Sequence, residues 1–262
     1  MSRDFIVATY NANSLRPRMG IVLDWLAKHR PDVLALQETK VRDAEFPAGP
    51  FREAGWNVVY RGQKSYNGVA FVSKEPLAGV RDRLYPGLPE EDARYIECEC
   101  RGVRIFNTYI PQGASLDSPK FQFKLKYLAD LKEAFAKSVK PSVPALWVGD
   151  MNVAQTEIDL ARPKENQDHV CFHADARRAF RETAGELWID LFREKEKGPG
   201  HYTFWDYRFP TALSKNLGWR IDLILGTRAM AGRLREIWID RDARKLEKPS
   251  DHTFLKAVFS AD

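Results

Sequence analysis

No apolar run in this sequence comes near the roughly 18 residues that a membrane span needs, so no segment is expected to cross a bilayer. Cysteine is scarce, with only Cys98, Cys100 and Cys171. Cys98 and Cys100 alternate on one face of an expected strand and Cys171 lies far away. That spacing suits neither a zinc site nor a disulfide framework, and buried free thiols are the expectation. Low-complexity tracts and long linkers are missing, which argues against separate modules. Met1-Ser2-Arg3-Asp4-Phe5 enters a strand almost at once. No signal peptide is therefore read, and a cytoplasmic location is expected.

What is present suits one large α/β domain over residues 1–262. Hydrophobic residues make up 44% of the chain, enough for a large core, and charged residues 29%, enough for a soluble surface. The net charge of +5 is compatible with nucleic acid or other phosphorylated partners, but decides little alone.

The stretch from Ala145 to Asn152 organises the rest. Ala145 to Val148 reads as a buried strand, Gly149 as its break, and Asp150 and Asn152 stand directly beyond. In α/β proteins, ligands sit outside the carboxyl ends of strands, so both residues are placed like site residues. The pattern recurs. Phe5 to Thr9 is a strand closely followed by Asn11. Asn13 or Ser14 is expected to cap a helix with Met19, Val22, Trp25, Leu26 and His29 on one face. Val33 to Leu36 runs straight into Glu38. Val58 to Tyr60 and Val69 to Val72 read as paired strands, and Tyr95 to Thr108 as a hairpin leading to Tyr109. Ser118-Pro119 opens a helix with Phe121, Leu125, Leu128, Leu131 and Phe135 on one face. Asp159 to Asp168 reads as a charged loop and Asp175 to Glu186 as a helix. Trp219 to Leu225 is expected as a strand with Asp222 set in it, and Thr253 to Phe259 as the last strand.

Polar residues thus gather at strand ends: Asn11, Glu38, Tyr109, Asp150, Asn152, Asp222, Asp251 and His252. Five motifs carry them, namely Leu36-Gln37-Glu38-Thr39-Lys40, Tyr109-x-Pro111, Gly149-Asp150-Met151-Asn152, Gly218-Trp219-Arg220-Ile221-Asp222 and Ser250-Asp251-His252. Each is weak alone. As an ordered set spanning most of the chain, they resemble the exonuclease III family of DNA repair nucleases, which includes abasic-site (AP) endonucleases. The resemblance implies a four-layer αββα sandwich of two packed mixed β-sheets with helices outside and the site at one edge. It also implies Mg²⁺-dependent (or Mn²⁺-dependent) hydrolysis of duplex DNA with one or two ions. Cleavage would fall 5′ to abasic sites and at 3′ ends, and the protein would act as a monomer.

Phosphodiester hydrolysis brings an anionic nucleophile to an anionic phosphate, so charge must be neutralised and water deprotonated. The resemblance makes Glu38 a metal ligand, with Asn11 bracing Asp150 or the metal and Asp251 supporting a second metal or its waters. Asp150 becomes the group that orients and deprotonates water, and Asn152 its helper. Asp222 pairs with His252 and favours its charged form, and Tyr109 donates to a phosphate oxygen. Arg16, Lys40, Tyr66, Asn67, Lys164 and Asn166 resemble DNA-contacting residues. Phe204, Trp219 and Ile221 stand where the family has its abasic-sugar pocket. The Arg177, Arg178, Arg181 run is left as a solvated helix face.

Two departures stand out. Some relatives have aspartate where this chain has Asn13, which weakens the case for a tight second metal. Arg208-Phe209-Pro210 occupies the loop where one relative wedges a methionine into DNA. The competing reading is a phosphoesterase of the wider superfamily acting on an inositol phosphate or phospholipid head group. The missing secretory and membrane segments and the presence of Phe204 and Trp219 count against it.

Overall fold

The computed structural model describes residues 3–84 and 92–261. In chain order its first elements are β1 (Phe5–Asn11), α1 (Met19–His29), β2 (Val33–Gln37), α2 (Ala48–Glu53), β3 (Asn57–Arg61) and β4 (Val69–Ser73). Next come β5 (Ala78–Arg81), β6 (Tyr95–Cys100), β7 (Val103–Tyr109), α3 (Pro119–Ser138), β8 (Ala145–Asp150) and α4 (Ala174–Ala184). The last are β9 (Ile189–Asp190), α5 (Leu191–Lys195), β10 (Asp222–Gly226), α6 (Arg228–Ala231), β11 (Leu234–Asp240) and β12 (Phe254–Phe259). No described helix is long and apolar enough to cross a membrane.

The strands form two six-stranded sheets, ordered β11-β12-β1-β2-β4-β3 and β5-β6-β7-β8-β10-β9. Both are mixed. Each holds a parallel pair, β1 with β2 and β7 with β8, and its other pairings are antiparallel. A helix spans each parallel pair, α1 the first and α3 the second. Glu38 follows the second strand of one pair, and Asp150 ends the second strand of the other.

Strand periodicity explains the layering, because successive side chains point to opposite faces. Phe5, Val7, Val33 and Ala35 pack against Ile105, Leu146, Val148 and Ile224 between the sheets. Ala8, Tyr10, Leu34 and Leu36, one step out of phase, pack outward with Val22, Trp25 and Leu26 of α1. On the other outer face, Phe106 and Trp147 meet Phe121, Leu128, Leu131 and Phe135 of α3 and Phe180 of α4. The result is the expected αββα arrangement.

Three local expectations need correction. Neither Asn13 nor Ser14 caps α1. A cap needs extended backbone, whereas these residues have φ of 42° and 82° and a 3₁₀ turn at Arg16–Arg18 leads into the helix. Gly149 does not break its strand, since β8 continues through it to Asp150, paired on both sides. Its φ of 132° is one that glycine tolerates, and a Cβ there would lie 2.0 Å from Thr108 O. Trp219 to Ile221 are not part of β10, which begins at Asp222. Trp219 instead bridges to Phe204 and Leu160. Within the expected charged loop, Asp159 lies buried against the guanidinium groups of Arg220 and Arg193.

Candidate active site

Strand direction decides which residues meet. β1 and β2 run parallel, so Asn11 and the Gln37-Glu38 corner emerge together. β7 and β8 do the same for Tyr109 and Asp150. β10 runs antiparallel to β8, so its first residue, Asp222, pairs with the last of β8, Asp150. β12 is antiparallel to β1, which brings the segment before it back to Asn11, where Ser250 Oγ donates to Asn11 O at 2.8 Å. The site is therefore one end of both sheets.

Asn11 joins the two sheets. Its amide nitrogen donates to Glu38 Oε1 at 2.8 Å and to Asp150 Oδ2 at 2.9 Å. Ligand atoms of Glu38, Asp150 and His252 all lie within 4.8 Å of one another, a grouping able to hold a metal ion. Left-handed backbone at non-glycine residues clusters here, with φ of 42° at Asn13, 50° at Glu38, 55° at Lys40 and 47° at Asn152. Such conformations cost about 1–3 kcal/mol each and persist where surrounding contacts over-determine them.

The electrostatics follow from burial and crowding. Burial, reinforced by Asp222 and Glu38, pushes the Asp150 carboxyl up to about 7, with His252 acting in the opposite direction. Burial works against charge on His252, but the carboxylate and hydrogen bond of Asp222, with Asp150, push the imidazole up to about 10. His252 Nδ1 lies 2.8 Å from Asp222 Oδ2 and Nε2 lies 3.8 Å from Asp150 Oδ2. Protonated, the ring has no lone pair for a metal, so the ion-binding atoms are the carboxylate oxygens. Burial raises the Glu38 carboxyl, but Lys40, the Asn11 hydrogen bond and His252 outweigh it and hold the group below its ordinary value.

Around this centre, Asn152 N–H donates to Asp150 Oδ1 at 2.9 Å, and its side-chain amide donates to Ile110 O at 2.9 Å. Burial, with Glu38 and Asp150 close by, keeps the Tyr109 phenol protonated far above its ordinary range. Asp251 stands apart from the metal-binding grouping. Asn13 Nδ2 donates to Asp251 Oδ1 and to Tyr207 OH, both at 2.9 Å, while Asn13 Oδ1 accepts from Lys40 Nζ at 2.6 Å. The same ammonium is 2.8 Å from Glu38 Oε2.

Phe204, Trp219 and Ile221 do come together, in a small cluster with Ala154, Leu160 and Phe172. Ile221 is buried, whereas Phe204 and Trp219 are half-buried. The Phe204 ring centre lies 4.9 Å from that of His252, so this apolar wall adjoins the polar centre. Arg16 and Lys40 line a cleft of about 380 Å³ with Arg42, Lys64 and Ser65. Tyr66 is 70% exposed on the adjoining loop, and Asn67 O accepts from Lys40 N–H at 2.9 Å. Lys164 and Asn166 share a 3₁₀ turn in a different segment, the one in which Ala161 N–H donates to Gly218 O. Arg177 is half-buried over the Phe172 ring, while Arg178 and Arg181 are solvated as expected.

The endonuclease/exonuclease/phosphatase family model matches residues 8–252. The chain belongs to this family. Within it, the AP endonuclease from Archaeoglobus fulgidus superposes with a TM-score of 0.95 and is 42% identical, over 98% of this chain and 100% of that one. The 3′-5′ exonuclease from Neisseria meningitidis gives a TM-score of 0.92 at 35% identity, over 98% of this chain and 100% of that one. Exodeoxyribonuclease III from Haemophilus influenzae is 33% identical, covering 96% of this chain and 98% of that protein.

Members of this family depend on a metal, and the carboxylates here fit one. Glu38 and Asp150 are hard oxygen donors of the kind Mg²⁺ and Mn²⁺ accept. Burial is the main cause of the upward push on Asp150, and Asp222 and Glu38 add to it, so a cation placed among these carboxylates would relieve part of that push. Sequence patterns had missed several supporting residues. Thr203 Oγ1 accepts from the N–H groups of Ile221 at 3.2 Å and Asp222 at 3.1 Å. Arg220 is buried between Asp159 and Asp190, at 2.7 Å from each. Lys124 lies fully buried on α3. Only Lys124 had left a signal, being a charged residue at a position the helix period turns inward.

Proposed function

We propose that this chain is a metal-dependent DNA repair nuclease that hydrolyses phosphodiesters in duplex DNA, cutting 5′ to abasic sites and removing 3′ nucleotides or blocking groups. The observation that carries it is the Asn11–Glu38–Asp150–His252–Asp222 constellation spanning both sheets. Relatives add the substrate class. They are named as AP endonuclease and 3′-5′ exonuclease, and a Neisseria 3′ phosphatase, 35% identical, was solved bound to a product DNA hairpin.

In this mechanism Asp150 takes the proton from the attacking water, which Asn152 helps to orient. Burial and the neighbouring carboxylates favour proton uptake by Asp150, and a cation held by Glu38 would act the other way. His252, charged and pinned by Asp222, stabilises the negative charge that builds on the phosphate. Tyr109, protonated throughout, donates to a phosphate oxygen. Glu38, braced by Asn11, would hold a Mg²⁺ or Mn²⁺ ion that neutralises phosphate charge. Arg16, Lys40, Tyr66, Asn67, Lys164 and Asn166 would hold the DNA backbone, giving salt-dependent affinity. All the catalytic groups come from one chain, so a monomer suffices, and both sheets contribute, so residues 1–262 act as one catalytic domain.

The decisive experiment offers one preparation three substrates: a duplex with a single abasic site, a duplex with a recessed 3′ end, and an inositol phosphate. Cleavage of the DNA substrates, lost in chelator, restored by Mg²⁺ or Mn²⁺, and needing more metal in Glu38→Ala, is expected. Full activity in excess chelator, or a preference for the inositol phosphate, overturns the proposal.

A further inference from the structure

Lys124 sits where an apolar residue would be the ordinary choice, on the face of α3 that buries Phe121, Leu128 and Leu131. Its side chain is fully enclosed, and burial pulls the ammonium below its ordinary pKa against the pull of Cys171 and Asp150. Nζ donates to Asn152 O at 2.7 Å, Val170 O at 2.7 Å and Gln112 O at 3.1 Å. An ammonium has three N–H donors, so the set is complete. Burying a cation is costly, and an apolar side chain of similar volume would fill this space with less penalty. Stability alone does not account for a lysine here.

The three carbonyls belong to three loops that meet behind Asp150. One follows β7, one follows β8, and the third precedes α4. All three bear on Asn152, the Val170 segment through Cys171 Sγ, which donates to Asn152 Oδ1 at 3.7 Å. Lys124 holds this residue by its own carbonyl and also grips the segment of Ile110 and Gln112, whose Ile110 O accepts from the Asn152 amide. Asn152 has φ of 47°, so its placement needs such bracing. From the front, its backbone N–H donates to Asp150 Oδ1 at 2.9 Å. We infer that Lys124 is a positioning residue for the reaction, clamping Asn152 so that its amide and Asp150 keep their relative geometry. The kinetic consequence rests on the role proposed above for Asn152; the positioning itself does not.

The test separates the two. Lys124→Met keeps length while removing charge and donors. In protein labelled with ¹⁵N-asparagine, the Asn152 side-chain resonances, identified by their absence from Asn152→Ala, are expected to shift and broaden. Single-turnover cleavage of whichever duplex the wild type cuts faster should fall roughly 10- to 100-fold, as expected for a group displaced by a fraction of an ångström to an ångström. DNA affinity should stay within about twofold, and in an Asn152→Ala background Lys124→Met should change the rate by no more than about twofold, the scatter of independent sites. Unchanged Asn152 resonances overturn the proposal, as does an equal rate loss in both backgrounds. Shifted resonances alongside an Asn152→Ala enzyme of full activity uphold the clamp and remove Asn152 from the mechanism. Should Lys124→Met fail to fold, Lys124→Arg, which keeps the cation but displaces its donors, reads the same coupling.

Discussion

His252 is gripped by Asp222, Nδ1 to Oδ2 at 2.8 Å, with its other nitrogen turned toward Asp150. The contact fixes the plane of the ring and keeps it charged, an imidazole pushed up to about 10. Asp222→Asn removes the larger favourable influence and should return the imidazole toward roughly 6.5. Because the charged form is the useful one, activity in the variant should fall as pH rises above neutral, where the wild type holds its rate to far higher pH. On the acid side, the rate should climb as Asp150, pushed up to about 7, loses its proton. A bound divalent cation would move that limb lower. Single-turnover rates between pH 5 and 10 check both limbs, and superimposable profiles for wild type and Asp222→Asn would contradict the assignment.

Asn13 offers a test of metal number. Its amide satisfies Lys40 on one side and Asp251 on the other, so no cation is needed between them. A carboxylate at this position would face Asp251 at about 3 Å, adding negative charge that Lys40, already paired with Glu38, offsets only in part. Wild type should bind one Mn²⁺ tightly in solution, and Asn13→Asp should acquire a second site or tighten a weak one. Free Mn²⁺ followed by paramagnetic resonance during a titration gives the stoichiometry directly. Two equally tight ions in the wild type would be the wrong answer.

The wall of Phe204, Trp219 and Ile221 adjoins His252, and an abasic sugar can swing out of the helix cheaply into a narrow site. Trp219→Ala and Phe204→Ala should each blur the preference for abasic over undamaged duplex while leaving metal dependence intact. The ratio of cleavage rates on paired duplexes is the measurement, with 3′ trimming as internal control. If both variants keep the wild-type ratio, the residues are merely core.

Asp159 and Arg220 make a prediction about stability. Burial raises the Asp159 carboxyl, but Arg220 and Arg193 outweigh it and hold the group below its ordinary value. Its folded pKa is thus lower than its unfolded one. The stabilisation is complete above roughly pH 4 and disappears as pH falls through the folded value. Asp159→Asn should cost about 3–5 kcal/mol near neutrality, the usual effect of breaking a buried ion pair. It should also flatten the acid fall in stability. Urea unfolding from pH 3 to 7 measures both.

The layered fold was legible because period-two alternation in β1, β2 and β8 assigns each side chain to one of two cores. The strand-end carboxylates were legible because the same arrangement recurs at strand after strand and its motifs, each weak alone, form an ordered set. What escaped the sequence depends on partners distant in the chain. Asn13 reads as a helix cap until Lys40, Tyr207 and Asp251 are seen around it. Trp219 reads as strand until Phe204 takes the pairing that β10 does not extend to. Asp159 reads only as one charge in a loop until Arg220 is seen beside it. Pattern resolves what neighbours in sequence decide; these residues are set by neighbours in space.

β1 lies between β2 and β12, so the strand at Phe5–Asn11 is completed only by the distant strand at Phe254–Phe259. Such a pairing of strands far apart in sequence favours slow folding. Until β12 docks, β1 presents an open edge ready to accept a foreign strand. His252 also reaches Asn11's neighbourhood only with that docking. Hydrolytic competence therefore waits on closure of the sheet, and a nascent or clipped chain lacking β12 would be both aggregation-prone and unable to nick DNA.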